Sequence, residues 1–81
     1  MKVYTLKERK ETKEYHLFEA KMNNDDTACT PNKISICEKM DKNESEQNIF
    51  SCLEEQQARE KCAQEGRKVC GICISNLYAT N

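Results

Sequence analysis

Polar and apolar residues alternate in two stretches near the start of the 81-residue chain. The stretches are "VYTL" (3–6) and "YHLFEAKM" (15–22), and the segment between them is charged or polar. Period-two alternation on either side of a polar tip predicts a β-hairpin over residues 2–22. Phe18 and Leu17 fall on opposite faces of the second strand, and the pattern leaves open which of them faces the core.

A helix is predicted in the second half of the chain. Ser51 is followed three residues later by Glu54, with the apolar Phe50 just before it, which is the pattern of a capping box at a helix start. Gly66 suits the left-handed backbone position that ends many helices. We therefore predict a helix over residues 51–65, with a narrow apolar stripe and a largely solvated surface.

Three further segments complete the predicted organisation. Residues 27–40 form a cysteine-containing loop with a short strand in "KISIC", and residues 41–48 form a polar linker. Residues 67–79 form a cysteine-pair segment in which helical spacing competes with strand-like residues. We expect a strand that ends near Val69, a turn at Cys70–Gly71 and then a short helix.

The length and composition predict one small α+β domain over residues 1–81. A chain this short buries a limited share of its surface, and its large apolar side chains are few. Because the ordering entropy then exceeds what the core supplies, we expect a covalent or metal staple.

The charge balance argues against a general affinity for nucleic acids. Lys and Arg number 13 against 14 Asp and Glu, which gives a net charge of −1 and no one-signed basic field. No apolar run is long enough to span a membrane, and the start of the chain lacks the apolar stretch of a secretory signal. The expected location is the cytoplasm.

Six cysteines carry the candidate chemistry, at positions 29, 37, 52, 62, 70 and 73. In a secreted protein they would form three disulfides, whose pairing the sequence leaves open. In a reducing compartment they are more naturally metal ligands, reactive thiols or small buried side chains. The missing secretory signal favours the metal.

A structural zinc site takes four soft or borderline donors, usually as two pairs. Cys70 and Cys73 form a short pair around Gly71, which permits a tight turn, and Cys29 and Cys37 form a wider second pair. We therefore predict Cys29, Cys37, Cys70 and Cys73 as zinc ligands.

The remaining cysteines and the histidine are given structural roles. Cys52 and Cys62 lie on different faces of the predicted helix, so we interpret them as small buried or half-buried side chains. His16 lies in a predicted strand, where a hydrogen-bonded or exposed histidine is more common than a ligand or a general base.

Catalytic alternatives are weaker. Cys70 and Cys73 at a helix start also fit a thioredoxin-type dithiol, but the chain has neither the length nor the strand pattern of that scaffold. It contains no glycine-rich phosphate loop and no hydrolase or zinc-protease motif. We predict that the protein is not an enzyme.

Two alternative functions stay open. A secreted disulfide-rich inhibitor or toxin is consistent with the cysteine count and with the glycosylation pattern "NES" at 43–45. A small nucleic-acid-binding zinc module could use a local patch of Lys61, Arg67 and Lys68 with Tyr78.

The segments "ACTPNKISIC" and "GRKVCGICISNLYAT" resemble those of small cysteine-pair, zinc-binding proteins encoded by bacteriophages and mobile elements. Proteins of this group commonly bind a host protein, and some block antiviral defence, anti-CRISPR proteins among them. The resemblance implies a stoichiometric inhibitor of a host defence protein, with zinc-ligand roles for Cys29, Cys37, Cys70 and Cys73. The predicted function is a non-enzymatic, zinc-stabilised module that binds a protein through the outer face of the hairpin or through the charged helix.

Overall fold

The chain folds into an antiparallel sheet of four strands with two α-helices, as the computed structural model describes it for residues 2–22 and 28–79. The strands are β1 (Lys2–Arg9), β2 (Tyr15–Met22), β3 (Cys29–Pro31) and β4 (Ser45–Leu53), and their order is β3-β2-β1-β4. The helices are α1 (Glu55–Glu65) and α2 (Gly71–Ala79), and short 3-10 turns occupy Lys42–Glu44 and Gly66–Lys68. The mixed α+β class agrees with the prediction. Thr27, at the start of the predicted cysteine loop, and residues 1, 23–26, 80 and 81 of the predicted domain lie outside the described residues.

The hairpin of β1 and β2 lies where the alternation predicts it. Lys2 pairs with Lys21 at the open end, and Glu8 pairs with Tyr15 next to the turn. The turn closes through a backbone hydrogen bond from the Arg9 N–H to the Glu14 carbonyl at 2.9 Å. The charged tip therefore stays in solvent while the strands enter the core.

Both faces of the hairpin are buried, so Leu17 and Phe18 do not compete for one core. On one face, Leu17 packs among a cluster that includes residues of both helices; its buried members are Tyr4, Leu6, Tyr15, Leu17, Ala58, Cys62, Val69, Cys70, Cys73 and Leu77. On the other face, Phe18 is opposite Thr5 in the strand register, and both side chains are at most 1% exposed. A strand in a sheet that is covered on both sides buries the side chains of both its faces.

The β4 strand extends into the region predicted to be a helix. Phe50 pairs with Leu6 and Leu53 pairs with Tyr4, so these apolar residues reach the core from an extended backbone. Helix α1 begins at Glu55, and the Gln57 side chain accepts a hydrogen bond from the Glu54 N–H at 3.4 Å. The capping box predicted at Ser51 is not formed, because long-range strand pairing outweighs the local helix-start pattern.

The other predicted segment boundaries agree with the structure only in part. The predicted linker 41–48 contains a 3-10 turn and the start of β4 rather than an irregular connector. Gly66 ends α1 with a φ of 66°, a positive value that favours glycine as expected there, but its ψ of −130° is not that of the left-handed helical cap. The strand expected to end near Val69 is reduced to a single bridge from Val69 to Tyr15, after a 3-10 turn at Gly66–Lys68. The short helix expected after it is present as α2, which begins at Gly71.

A disulfide between Cys29 and Cys52 joins the two outer strands of the sheet. The Cα atoms of these residues are 5.7 Å apart. In a flat sheet, the first and fourth strands would be about 14 Å apart, three times the usual strand spacing. The sheet is therefore curled so that its edges approach each other.

Among the described residues, neither helix combines the length and the apolar character that crossing a membrane would require.

Candidate metal centre

The site is built on an uncovered stretch of the β2 edge. Strand β3 pairs with β2 only from Ala20 to Met22, which leaves the backbone groups near Tyr15 and Leu17 available. The Ile36 N–H donates to the Leu17 carbonyl at 2.8 Å, and the Cys70 N–H donates to the Tyr15 carbonyl at 2.7 Å. Two segments distant in sequence are thereby fixed side by side, each carrying cysteine.

Four metal-binding side chains meet at this edge: His16, Cys37, Cys70 and Cys73. One ligand atom from each lies within 4.8 Å of the other three. The Nδ1 atom of His16 is 3.3 Å from the Cys37 sulfur and 3.9 Å from the Cys73 sulfur. A zinc tetrahedron has donor separations of about 3.6 Å between nitrogen and sulfur and about 3.8 Å between two sulfurs, from the usual bond lengths. The group has the dimensions of a four-coordinate site.

Most of the site is shielded from water. His16, Cys70 and Cys73 are at most 5% exposed, and Cys37 is half-buried. The Leu17 N–H donates to the Cys73 sulfur at 3.3 Å. Cys70 and Cys73 also lie at the first turn of α2, whose positive end favours negative charge on sulfur. The surroundings therefore suit thiolates bound to a cation.

The pKa of the Cys37 thiol is lowered, whereas the pKa of the Cys73 thiol is raised. Burial raises the pKa of Cys37, but hydrogen bonds from the Ser35 hydroxyl and the Lys39 backbone lower it. Hydrogen bonds from the thiols of Cys73 and Cys70 lower the pKa of Cys37 further, so that it lies below the ordinary thiol value. Burial raises the pKa of Cys73 in contrast. A thiolate at Cys37 thus accepts hydrogen bonds from its neighbours, and a cation would take over their role.

His16 is prepared to act as a neutral ligand. Burial lowers the pKa of its imidazole, although the nearby carboxylate of Glu14 opposes this shift. The Glu14 Oε1 atom is 2.9 Å from Nε2, off the direction of an ideal hydrogen bond. With Nδ1 facing the sulfurs, the carboxylate lies on the opposite side of the ring, where metal-bound histidines commonly have a polar partner.

The structure brings together three of the four predicted ligands and separates the fourth. Cys37, Cys70 and Cys73 belong to the group, whereas Cys29 is bonded to Cys52. This pairing is possible because Cys52 lies in β4 rather than in the predicted helix. Cys62 is a free, buried thiol on α1, in line with the role given to it.

His16 is the residue that the sequence interpretation missed. Its place in the strand gave no periodic or spacing pattern for a ligand, because the partners come from residues 21 and more positions away. The available clue was compositional: a Cys3His donor set needs one histidine, and the chain has one.

The residues of the two alternative sites, the redox dithiol and the nucleic-acid patch, have other surroundings than those functions require. The buried thiols of Cys70 and Cys73 do not offer the accessible nucleophile that a redox dithiol requires. The aromatic ring assigned to a nucleic-acid patch, Tyr78, lies under the guanidinium of Arg59 at 4.7 Å. The Lys68 ammonium instead lies over the buried ring of Tyr15 at 5.9 Å.

Comparisons of the chain with protein-family models, with curated proteins and with solved structures find no match. The candidate centre is therefore defined by its own geometry. Its three sulfurs and one imidazole nitrogen, mostly buried and close to tetrahedral spacing, could hold one metal ion.

Proposed function

We propose that the protein is a non-enzymatic binding module in which His16, Cys37, Cys70 and Cys73 hold one structural zinc ion. The observation that supports this proposal is the convergence of four donor atoms within 4.8 Å at the β2 edge. Thiolate sulfur with imidazole nitrogen is a donor set that favours zinc among the common divalent ions.

A structural role fits the donor count better than a catalytic one. Catalytic zinc sites keep one position open for water, with three protein ligands. Here the chain offers four donors, and three of them are buried. A metal with all four positions filled by protein has no site for substrate.

The metal would connect three separate segments of the chain: β2 through His16, the loop at Cys37, and the start of α2 through Cys70 and Cys73. Helix α2 buries only Cys73 and Leu77 along its length. Structural zinc contributes about 10–16 kcal/mol in small domains. A contribution of this size compensates for a thin core.

The partner-binding surface that we propose is the outer side of α2. Within Gly71–Ala79 no residue is charged, although one third of the chain is charged. Ile72 and Tyr78 are 44% and 49% exposed on this helix. The hairpin face considered from the sequence is less suitable because its central side chains are buried. The proposal that the partner is a host defence protein rests on the sequence resemblance alone.

Native mass spectrometry of the full chain tests the metal proposal. We expect one zinc ion, a mass two hydrogens light for the single disulfide, and loss of the zinc to a strong chelator. Cobalt exchanged into the site should show the absorption of tetrahedral thiolate coordination. A protein that binds no zinc, or binds it equally well after Cys73→Ser, would contradict the proposal.

The binding surface is tested separately with purified, zinc-loaded variants. Ile72→Ser should keep its zinc and its thermal unfolding curve but lose a partner that the wild type retains. Ile34→Ser is the matched control, because Ile34 is 47% exposed and lies outside α2. Equal loss of the partner in both variants would refute the assignment to α2.

A further inference from the structure

We propose that the Cys29–Cys52 disulfide is a reducible clasp, and that its reduction opens one strap of the fold without dismantling the metal centre. The strap is residues 28–33, which contain β3. The inference goes beyond the proposed function, since it concerns a different pair of cysteines, which joins the outer strands β3 and β4.

The clasp lies directly on the second face of the sheet. The Thr5 hydroxyl is 3.7 Å from the Cys29 sulfur and accepts a hydrogen bond from the Cys52 N–H at 3.3 Å. Thr5, Phe18 and Ala20 on this face are at most 1% exposed. The disulfide therefore helps to close a buried surface that the helices do not cover.

Apart from the clasp, the strap has a short attachment to the sheet. Strand β3 is three residues long, and its last residue, Pro31, has no N–H to donate. Outside the ladder, the Asn32 N–H donates to the Glu19 carbonyl and the Lys33 carbonyl accepts from the Lys42 N–H, both at 2.8 Å. A segment with so few backbone bonds belongs to the low-stability part of a structure.

The Cys52 side of the clasp is held in an unfavourable backbone conformation. Its φ is 58°, the left-handed region that side chains with a Cβ rarely adopt. It also lies where the register between β1 and β4 shifts, between Phe50 and Leu53. The disulfide therefore ends on a residue whose backbone the bulge between β1 and β4 holds in a strained conformation.

The clasp and the metal centre differ in access to reductants. Cys29 and Cys52 are both partly exposed, whereas Cys70 and Cys73 are buried. A dithiol would give up two electrons and two protons, forming its own disulfide while Cys29 and Cys52 become thiols. The sulfurs of the metal centre are already reduced and take no part in this exchange.

Hydrogen exchange of the full chain tests the clasp, with zinc content followed by native mass spectrometry. The reductant is a thiol-free phosphine, because a dithiol could also remove zinc. The phosphine takes oxygen from water, and the two protons of the water go to the two sulfurs. We expect a gain of two hydrogens, retention of zinc, and amide exchange at least about tenfold faster in residues 28–33 and at the paired 20–22.

Two variants make the result specific. The double variant C29S/C52S should show the fast exchange without reductant and should not respond to it. C62S should behave like the wild type, because the Cys62 thiol belongs neither to the disulfide nor to the metal centre.

Three results would overturn the clasp. Unchanged exchange in the strap would mean that the strand ladder alone holds it. Equal protection of the strap, of Leu17 and of α2 after reduction would mean that the fold opens only as a whole. Release of zinc on reduction would show that the two parts are not independent. If the protein binds no zinc from the start, the proposed function fails, while the exchange pattern still decides the clasp.

Discussion

Replacing His16 with Phe should weaken zinc binding far more than removing the disulfide does. Phe keeps an aromatic ring at a position that is 1% exposed, but it removes the nitrogen that lies 3.3 Å from the Cys37 sulfur. Structural zinc sites are worth about 10–16 kcal/mol, so an equal share for each of four donors is roughly 2.5–4 kcal/mol. The expected loss of affinity is therefore roughly 70- to 900-fold.

The affinity is measured by competition with a chromophoric zinc chelator. The pH is held fixed, because the cysteine ligands must lose their protons to bind. C29S/C52S is the control, and its affinity should stay within about threefold of the wild type, since neither sulfur belongs to the group. Glu14→Gln should fall between them, at about tenfold, because a carboxylate beside the far side of the ring supports the ligand.

The opposite ranking would refute the assignment of the ligands. If His16→Phe kept wild-type affinity while C29S/C52S lost it, Cys29 would be the fourth ligand, as its spacing to Cys37 first suggested. Equal small losses in all variants would mean that the group does not act as a metal centre.

Three further predictions concern the other thiols and the disulfide. Cys70→Ser or Cys73→Ser should lower the midpoint of thermal unfolding followed by circular dichroism, because one donor's share of roughly 2.5–4 kcal/mol is a large part of the roughly 4–12 kcal/mol total stability of a domain this size; an unchanged midpoint in either variant would contradict this. C29S/C52S should lower the free energy of unfolding in urea by about 3 kcal/mol, the chain-entropy value for a disulfide with a sequence separation of 23, whereas an unchanged midpoint would exclude this contribution. Burial raises the pKa of Cys62 to about 11, so its alkylation at pH 8 should be roughly a hundred times slower than that of an exposed thiol and should become fast on unfolding. Rapid labelling of Cys62 in the native protein would argue against that burial.

The parts of the fold that sequence predicts well are those fixed by neighbouring residues. The hairpin follows from period-two alternation on both sides of a charged tip, and the end of α1 follows from the backbone freedom of Gly66. The start of α1 was predicted wrongly because it depends on residues that are distant in the sequence. Ser51 and Glu54 form a helix-start pattern, but Phe50 pairs with Leu6, which is 44 positions earlier in the chain. No local pattern carries that pairing.

The site shows the same division. Cys70 and Cys73 were recognisable from their spacing, because both lie on one turn of backbone. His16 was not, because its role depends on two distant segments that bind the backbone of its neighbours Tyr15 and Leu17. Cys29 was assigned to the metal because it forms a pair with Cys37 in the sequence. Its partner is instead Cys52, which the curl of the whole sheet brings to it, and no local pattern carries that curl.

The uncovered stretch of the β2 edge also sets the order in which the domain can assemble. The hairpin and the two helices form from residues close in sequence, whereas His16 and Cys73 are 57 positions apart. Closing such long loops is slow compared with forming a hairpin. A complete set of donors therefore exists only after both distant segments have bound β2. The rate of metal capture by the unfolded chain should reach a plateau at high zinc concentration, and that plateau is the rate of chain closure.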